Sequence, residues 1–408
     1  MPDAVLCHIL SFLPTKDCVT TSTLSRRWRH IWKDLQVLDF CQNSCQGFEH
    51  LAVLVNRVLA LRKGYDIRGF RLSCLYSDRD SSSVAKWVQI AIGPNLEELR
   101  LELHSNAGFR SMPHTLFTCS KLVSLSLSYG IHIEKPAAVC LPSLKMLNLC
   151  HINVDFYETL LSGCPALETL TLSICAKCLT KVHVPPSLKR LEFQVFSSQW
   201  ESYLDIDVPG LEYLSIVHAT SSFHCKFTNL QHVVDAFLDV GGVEKASVNT
   251  FHKLIRALCG TKSLKLGYFS TKMLLCPYFR FSEFSPFTSS GDHFSMFQLK
   301  FSEKCHVLQV LTISNWEEQK PLHLQSWAQP TRVPNCLRSH LTSFEFDGYR
   351  GLEDELEFAK YILRYGFVLK AMNISSHRSL DLSEKRDIHR HSLYDIRPGS
   401  SVCRFYFF

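Results

Sequence analysis

"LKMLNL", Leu144 to Leu149, carries leucines at its first, fourth and sixth positions, and the same spacing returns five more times. "LEELRL" starts at Leu96, "LVSLSL" at Leu122, "LETLTL" at Leu167, "LKRLEF" at Leu188 and "LEYLSI" at Leu211, so successive starts lie 26, 22, 23, 21 and 23 residues apart. A short strand sends alternate leucines inward. The return segment of each coil adds further apolar residues, such as Leu116, Phe117, Leu160 and Leu161. No such coil is stable alone, because each covers the open face of its neighbour. The repeat therefore predicts a solenoid of stacked coils, with a period inside the ~20–29 residues expected of leucine-rich repeats.

Beyond Ile216 the phrase degenerates into "LQHVVDAFLDV" from Leu230, "LCGTKSLKL" from Leu258 and "LQVLTI" from Leu308. Between the last two, "PYFRFSEFSPFTSSGDHFSMF" from Pro277 has neither helical nor strand period. It predicts a Phe/Ser-rich insertion near 277–300, either a partner-binding element or a loop that packs back on the coils. Within the strands, the residues between leucines look outward: Glu98, Arg100, Ser124, Ser126, Met146, Asn148, Thr169, Thr171, Arg190, Glu192, Tyr213 and Ser215. Arg100, Ser126, Asn148, Thr171, Glu192 and Tyr213 are the candidates for holding a target. Ordinary solvated strand surface is the alternative for most of them.

The first forty residues obey a different rule. Val5, Leu6, Ile9, Leu10 and Leu13 recur at helical spacing and predict one apolar stripe on a first helix. Pro14 breaks the pattern, and Asp17 is positioned to cap the next helix. That second helix is expected to carry "LSRRWRHIWKDL", with Leu24, Trp28, Ile31, Trp32 and Leu35 on one face and Arg26, Arg27, Arg29 and Lys33 largely on the other. A single-strand nucleic-acid surface would put aromatics and cations on a shared face. The apolar face either packs on the next domain or docks a partner protein.

"MPDAVLCHILSFLPTKDCVTTSTLSRRWRHIWKDLQVLDF" resembles an F-box, specifically the plant form with its LPD, ILSFLPTKD, TS.LS.RWR..W and LDF phrases. The match is nearly continuous over residues 1–40. It departs at Met1, which stands at the family's leucine without the usual preceding residues. F-boxes bind the Skp adaptor of SCF-type cullin–RING ubiquitin ligases through a small helical bundle. Carried over position by position, the resemblance implies adaptor contacts at Pro2, Leu6, Ile9, Leu10, Leu13, Pro14, Leu24 and Trp28, with Trp32 shared between adaptor and fold.

The C-terminal stretch 333–408 predicts a strand over Leu341–Phe346, a turn, and a helix with Leu352, Leu356, Ala359 and Leu363 on a common face. Glu353, Asp354, Glu355 and Glu357 crowd the start of that helix and read as a solvated face favoured by the helix dipole. "LKAMNI" and "SSVCRFYFF" predict further strands. "VPNCL", "LTSFEFDGYRG", "YIL", "LKAMNI" and "SSVCRFYFF" resemble the phrases of the FBD domain of plant F-box proteins. "SEKRDIHRHSLYDIRPGS" departs from its usual helical pattern.

Composition narrows the function. An apolar fraction of 46% in 408 residues suits large cores, and a net charge of +6 is too small to indicate a polyanion partner. Seventeen scattered cysteines, an odd number, often stand where a small apolar residue would fit, as at Cys150 and Cys164. With no signal peptide and no bilayer-spanning run, since "LAVLVNRVLAL" contains Asn56 and Arg57, the expected location is cytoplasm or nucleus. There is no HExxH, P-loop, GxGxxG, GxSxG or EF-hand loop. Cys175 and Cys178 form a lone CxxC, and "HRH" at His389–His391 has no companion ligand that the sequence can place.

The expected class is α/β: a small helical F-box at 1–40, a connecting helical segment and first irregular repeat at 41–94, leucine-rich repeats at 95–332, and an α+β FBD module at 333–408. The resemblance implies a non-enzymatic substrate-recognition subunit of an SCF-type ubiquitin ligase. Its partners are the Skp adaptor, through it a cullin, and a target protein, with no cofactor, metal, nucleic acid or membrane. A ligase-independent interaction scaffold with a defective F-box is the alternative.

Overall fold

The computed structural model of the chain describes residues 3–174, 182–195, 203–218, 224–241, 245–275, 307–315, 333–391 and 396–408, except positions 63, 65, 106, 107, 110, 111, 153, 155 and 259. Pro2, the 277–300 insertion and the Cys175/Cys178 pair lie outside the described residues. The chain divides into two compact units, 1–188 and 189–408.

The first unit opens with α1 (Asp3–Leu10) and α2 (Thr15–Thr20). Pro14 is the N-cap of α2, so Asp17 lies inside its first turn and does not cap it. The long helix expected over Leu24–Leu35 does not form. Only α3 (Trp28–Ile31) is α-helical, flanked by tight turns at Thr21–Thr23 and Trp32–Asp34. A threonine run precedes the break. Thr20, Thr21 and Thr23 hydroxyls donate back to the carbonyls of Lys16, Cys18 and Thr20 at 2.9, 2.7 and 2.9 Å, competing with a continuous helix.

The strands then begin earlier than the leucine phrases suggest. β1 (Val37–Cys41), inside the F-box stretch, pairs with β2 (Gly69–Leu75), which pairs with β3 (Glu98–His104). Two helices, α4 (Phe48–Leu61) and α5 (Ser81–Ala91), make the return segments of these first coils. β4 (Ser124–Ser128), β5 (Met146–Cys150), α6 (Tyr157–Ser162) and β6 (Thr169–Ile174) complete the parallel ladder, and β7 (Val182–His183) comes after it. Register places Leu99, Leu125, Leu147 and Leu170 in one inward row and Leu101, Leu127, Leu149 and Leu172 in the next, all buried. Leu116, Phe117, Leu160 and Leu161 close the core from the return segments.

The second unit repeats the scheme. β8 (Arg190–Val195), β10 (Tyr213–His218), β12 (Asp235–Val240), β13 (Ser263–Leu266) and β14 (Val310–Ser314) pair in parallel, so the degenerate phrases at Leu230, Leu258 and Leu308 do supply strands. β9 (Tyr203–Asp207) and β11 (His224–Thr228) form a side ladder. α7 (Lys245–Ala257) and α8 (Tyr268–Leu275) lie on the return path.

The C-terminal stretch corrects the expected α+β module. α9 (Asn335–Ser339) leads into β15 (Ser343–Tyr349), then α10 (Glu353–Tyr365), β16 (Ala371–Ser376), α11 (Leu382–His391) and β17 (Arg404–Phe407). These three strands extend the ladder from β14, all parallel. Each intervening helix is long enough to return the chain to the same end, which is what parallel pairing requires. Leu352 is exposed at the N-cap of α10, and the buried face is made by Phe358, Ala359, Ile362 and Leu363. Glu355 is buried too, against the expectation of a solvated acidic cluster.

Candidate functional site

Two surfaces of the first unit carry most of the candidates, and Glu192 and Tyr213 lie in the second unit. On α1 the apolar positions divide. Leu6 and Leu10 point inward, 5% and 1% exposed, and with Ile31, Trp32 and Leu35 they form the core of the small bundle. Val5 and Ile9 stand one turn apart on the outer side, Phe12 and Leu13 follow in the turn just past the helix, and Leu24 is exposed beyond α2. Phe12 is 74% and Leu24 69% exposed. These five large apolar side chains left in water within twenty residues are surface that the bundle itself does not use, and Val5, Ile9, Phe12 and Leu13 follow one another at helical spacing as a ridge. The single stripe expected from spacing is therefore two, one for the fold and one for the surface.

Of the implied adaptor contacts, Ile9 and Leu13 lie on this exposed ridge, Leu24 is exposed, and Pro14 and Trp28 are half-buried. Leu6, Leu10 and Trp32 are core residues, 5%, 1% and 7% exposed. Val5 and Phe12 are ridge residues that the family phrases do not mark as contacts. Their signal is the i, i+4, i+7 spacing of Val5, Ile9 and Phe12. Trp32, 7% exposed with Lys33 Nζ 5.7 Å from its ring centre, has no open face for a stacked base.

The bundle is joined to the strands. Thr15, buried at the start of α2, accepts the Asp39 backbone N–H on its hydroxyl at 2.7 Å, and Lys16 donates to the Ser44 carbonyl. β1 is the edge strand of the first unit's ladder, so α2 covers its open side. An ion pair between Arg27 and Asp3, 2.7 Å, ties α1 to the segment before α3.

The second surface is the open strand face. Cross-strand register sets Asp39, Arg71, Arg100, Ser126, Asn148 and Thr171 in one row, bringing four of the six target candidates into line. Arg71 is locked: its guanidinium donates to both carboxylate oxygens of Glu98 at 2.7 and 2.8 Å, with Asp39 at 3.7 Å. The Glu98 hydrogen bonds raise its proton affinity above that of an ordinary arginine, against the opposing effect of burial. In the second unit, Glu192 and Tyr213 are both held by Arg190, which donates to Glu192 at 2.9 and 2.7 Å and lies 3.5 Å over the Tyr213 ring. Ser215 is buried, so it leaves the outward set.

At the C-terminal ends of the strands three rings stack across neighbouring coils. His104 and Tyr129 are 4.2 Å apart between centroids, and Tyr129 and His151 are 5.2 Å apart. The sequence carries no sign of this, because Tyr129 and His151 come after their strands where alternation would turn them inward. Left-handed backbone at both, φ 58° and 56°, redirects them.

The cysteines among the described residues are free thiols. Cys74 and Cys164 are buried, with their thiols pushed up to about 12 by desolvation, so they serve as apolar fillers. Cys150 instead lies half-buried in the outward row, Sγ 3.0 Å from Asn148 Oδ1. Among the described residues no His, Cys, Asp and Glu cluster could hold a metal, and no helix is long and apolar enough to cross a membrane.

Known families divide along the same line. Residues 1–40 match the F-box domain, and residues 58–393 match the family described as At1g61320/AtMIF1, LRR domain. The chain belongs to the plant F-box/FBD/LRR-repeat family. Within that family it is similar to the F-box/FBD/LRR-repeat protein At5g56420 of Arabidopsis thaliana, 30% identical over 100% of this chain and 97% of the relative. The FBD-associated F-box protein At4g10400 of the same plant is 30% identical, covering 92% and 91% of the two chains. A putative F-box/FBD/LRR-repeat protein, At4g13965, also of Arabidopsis thaliana, is 32% identical over 89% and 86%. No catalytic family is among these matches. As an F-box/FBD/LRR-repeat protein, the chain joins a small helical bundle to the repeat strands.

Proposed function

We propose that this chain is the substrate-recognition subunit of an SCF-type cullin–RING ubiquitin ligase. The F-box docks a Skp-type adaptor, which carries the cullin, and the open strand face holds a target protein. The observation that carries this reading is the exposed ridge of Val5, Ile9, Phe12 and Leu13, together with exposed Leu24, within the segment that matches the F-box. Such a subunit supplies no reacting group. Its contribution is proximity, holding the target where ubiquitin transfer by the rest of the complex becomes effectively intramolecular. The ranges 1–40, 41–94, 95–332 and 333–408 serve as its working division into F-box, connecting coils, repeats and FBD.

The test is capture of the full chain by a purified plant Skp adaptor. Ile9→Ala with Phe12→Ala removes exposed surface and leaves the core of Leu6, Leu10 and Trp32 intact, so the fold should persist. Capture is expected to weaken by at least tenfold, about 1.4 kcal/mol, with an unchanged circular dichroism spectrum. Undiminished capture of the double variant would reject the ridge as the docking site. Absence of capture by the wild type would favour the ligase-independent scaffold. Leu10→Asp is a poor probe, since it would break the bundle before any contact.

A further inference from the structure

The proposed target face has an internal charge balance that points to the chemistry of what lies on it. Arg71 is neutralised by Glu98 and Asp39, and Glu102 faces His104 Nε2 at 3.7 Å. Arg100, exposed in the central row beside Arg71 and Ser126, pairs with no carboxylate among the described residues. Of the two acids that flank it on the outward face of the strand, Glu98 is consumed by two hydrogen bonds to Arg71, and Glu102 faces His104 Nε2 at 3.7 Å. A fork of guanidinium donors is thus left open above hydroxyl and amide side chains, an arrangement that fits a carboxylate.

A second observation lies four residues farther along the same strand. Leu75, exposed, is the cross-strand partner of His104, and the stack continues through Tyr129 to His151. Tyr129 and the adjacent Gly130 are both left-handed, φ 58° and 43°. Asparagine or glycine would hold that turn at less cost than tyrosine. The ring is kept on the surface against backbone preference, and strain of this kind gathers at binding sites. His104 is ~13 Å from Arg100 along the strand, the reach of about four residues of extended chain.

We propose that the target docks as an extended acidic peptide segment on β3–β5, with a carboxylate on Arg100 and a large apolar side chain, four residues away, against the Leu75–His104–Tyr129–His151 rim. The four-residue separation places both side chains on one face of an extended peptide. The inference rests on the target-face reading above but is independent of adaptor capture.

Immobilised full-length chain is exposed to randomised peptide pools with fixed glutamate and phenylalanine four residues apart, and to pools with glutamine or phosphoserine in place of the glutamate. The wild type is expected to retain the glutamate pool about tenfold over the glutamine pool. Arg100→Gln should erase that preference and still be captured by the Skp adaptor. Tyr129→Gly, which frees the left-handed turn but gives up the ring stack, should lower retention of both pools alike and still be captured by the Skp adaptor. Equal retention of glutamate and glutamine pools, no retention of either, or preference for phosphoserine would each overturn the proposal. Loss of adaptor capture by the wild type would instead count against the ligase reading.

Discussion

Glu355 sits in a run of acids at the start of α10, yet its environment differs from that of its neighbours. Its carboxylate accepts from Arg350 N at 2.8 Å, Leu352 N at 3.3 Å and Asn315 Nδ2 at 2.9 Å, closing the helix start against the preceding coil. Glu355→Ala would leave those donors unsatisfied, and the second unit is expected to lose about 2–4 kcal/mol in a denaturant titration. Burial raises the carboxyl above its ordinary value of 4.5, against the opposing pull of the donors. A carboxyl raised in the folded state holds its proton more tightly there. Its contribution is therefore greatest below 4.5 and falls as pH rises through the folded value. The stability of the wild type relative to Glu355→Gln should decline over that window, and a flat difference would reject this account. Composition alone could not reveal the role, because four neighbouring acids look alike until a helix start selects one. Leu6 and Val5 pose the same problem: spacing marks both as apolar, and only the position of the partner helices decides which is core.

At the scale of elements the leucine phrases are the most legible part of the chain. All six mark strands, since alternation and burial impose a rule that every coil must obey. The row Leu125–Leu147–Leu170 shows what the rule contributes: Leu147 is flanked on both sides by a leucine of the same depth. Leu147→Ala is expected to cost about 2–5 kcal/mol, read as an earlier unfolding midpoint with little change in slope. β1 and β2 carry the same spacing in "LQVLDF" from Leu35 and "IRGFRL" from Ile67, and both bury alternate residues, but the first reads as the end of the F-box phrases and the second keeps only one leucine. The helix expected over Leu24–Leu35 fails for a different reason. Periodicity reports the apolar side correctly for Ile31, Trp32 and Leu35, but it carries no information about three threonine hydroxyls that bond back to the chain.

For the molecule as a whole, the boundary between helical and repeat parts is the least modular feature. Thr15 on α2 satisfies the backbone of β1, and β1 closes the edge of the first unit's ladder. A chain lacking residues 1–36 keeps β1 but uncovers it, and is expected to unfold at lower denaturant and to self-associate in sedimentation velocity. An F-box that was a separate bead would leave both measurements unchanged. The open face is legible from sequence as far as register can be counted, which places Arg100, Ser126, Asn148 and Thr171 in one row. The ring stack is not, since it depends on two backbone angles that no spacing encodes. The shared strand also governs how such proteins can be recombined. A chimera cut at residue 40, where the family match ends, would divide β1 itself, taking Val37–Phe40 from one parent and Cys41 from the other. The seam that respects the structure lies after α4, near Arg62, so a transplanted F-box should travel with β1 and its first return helix.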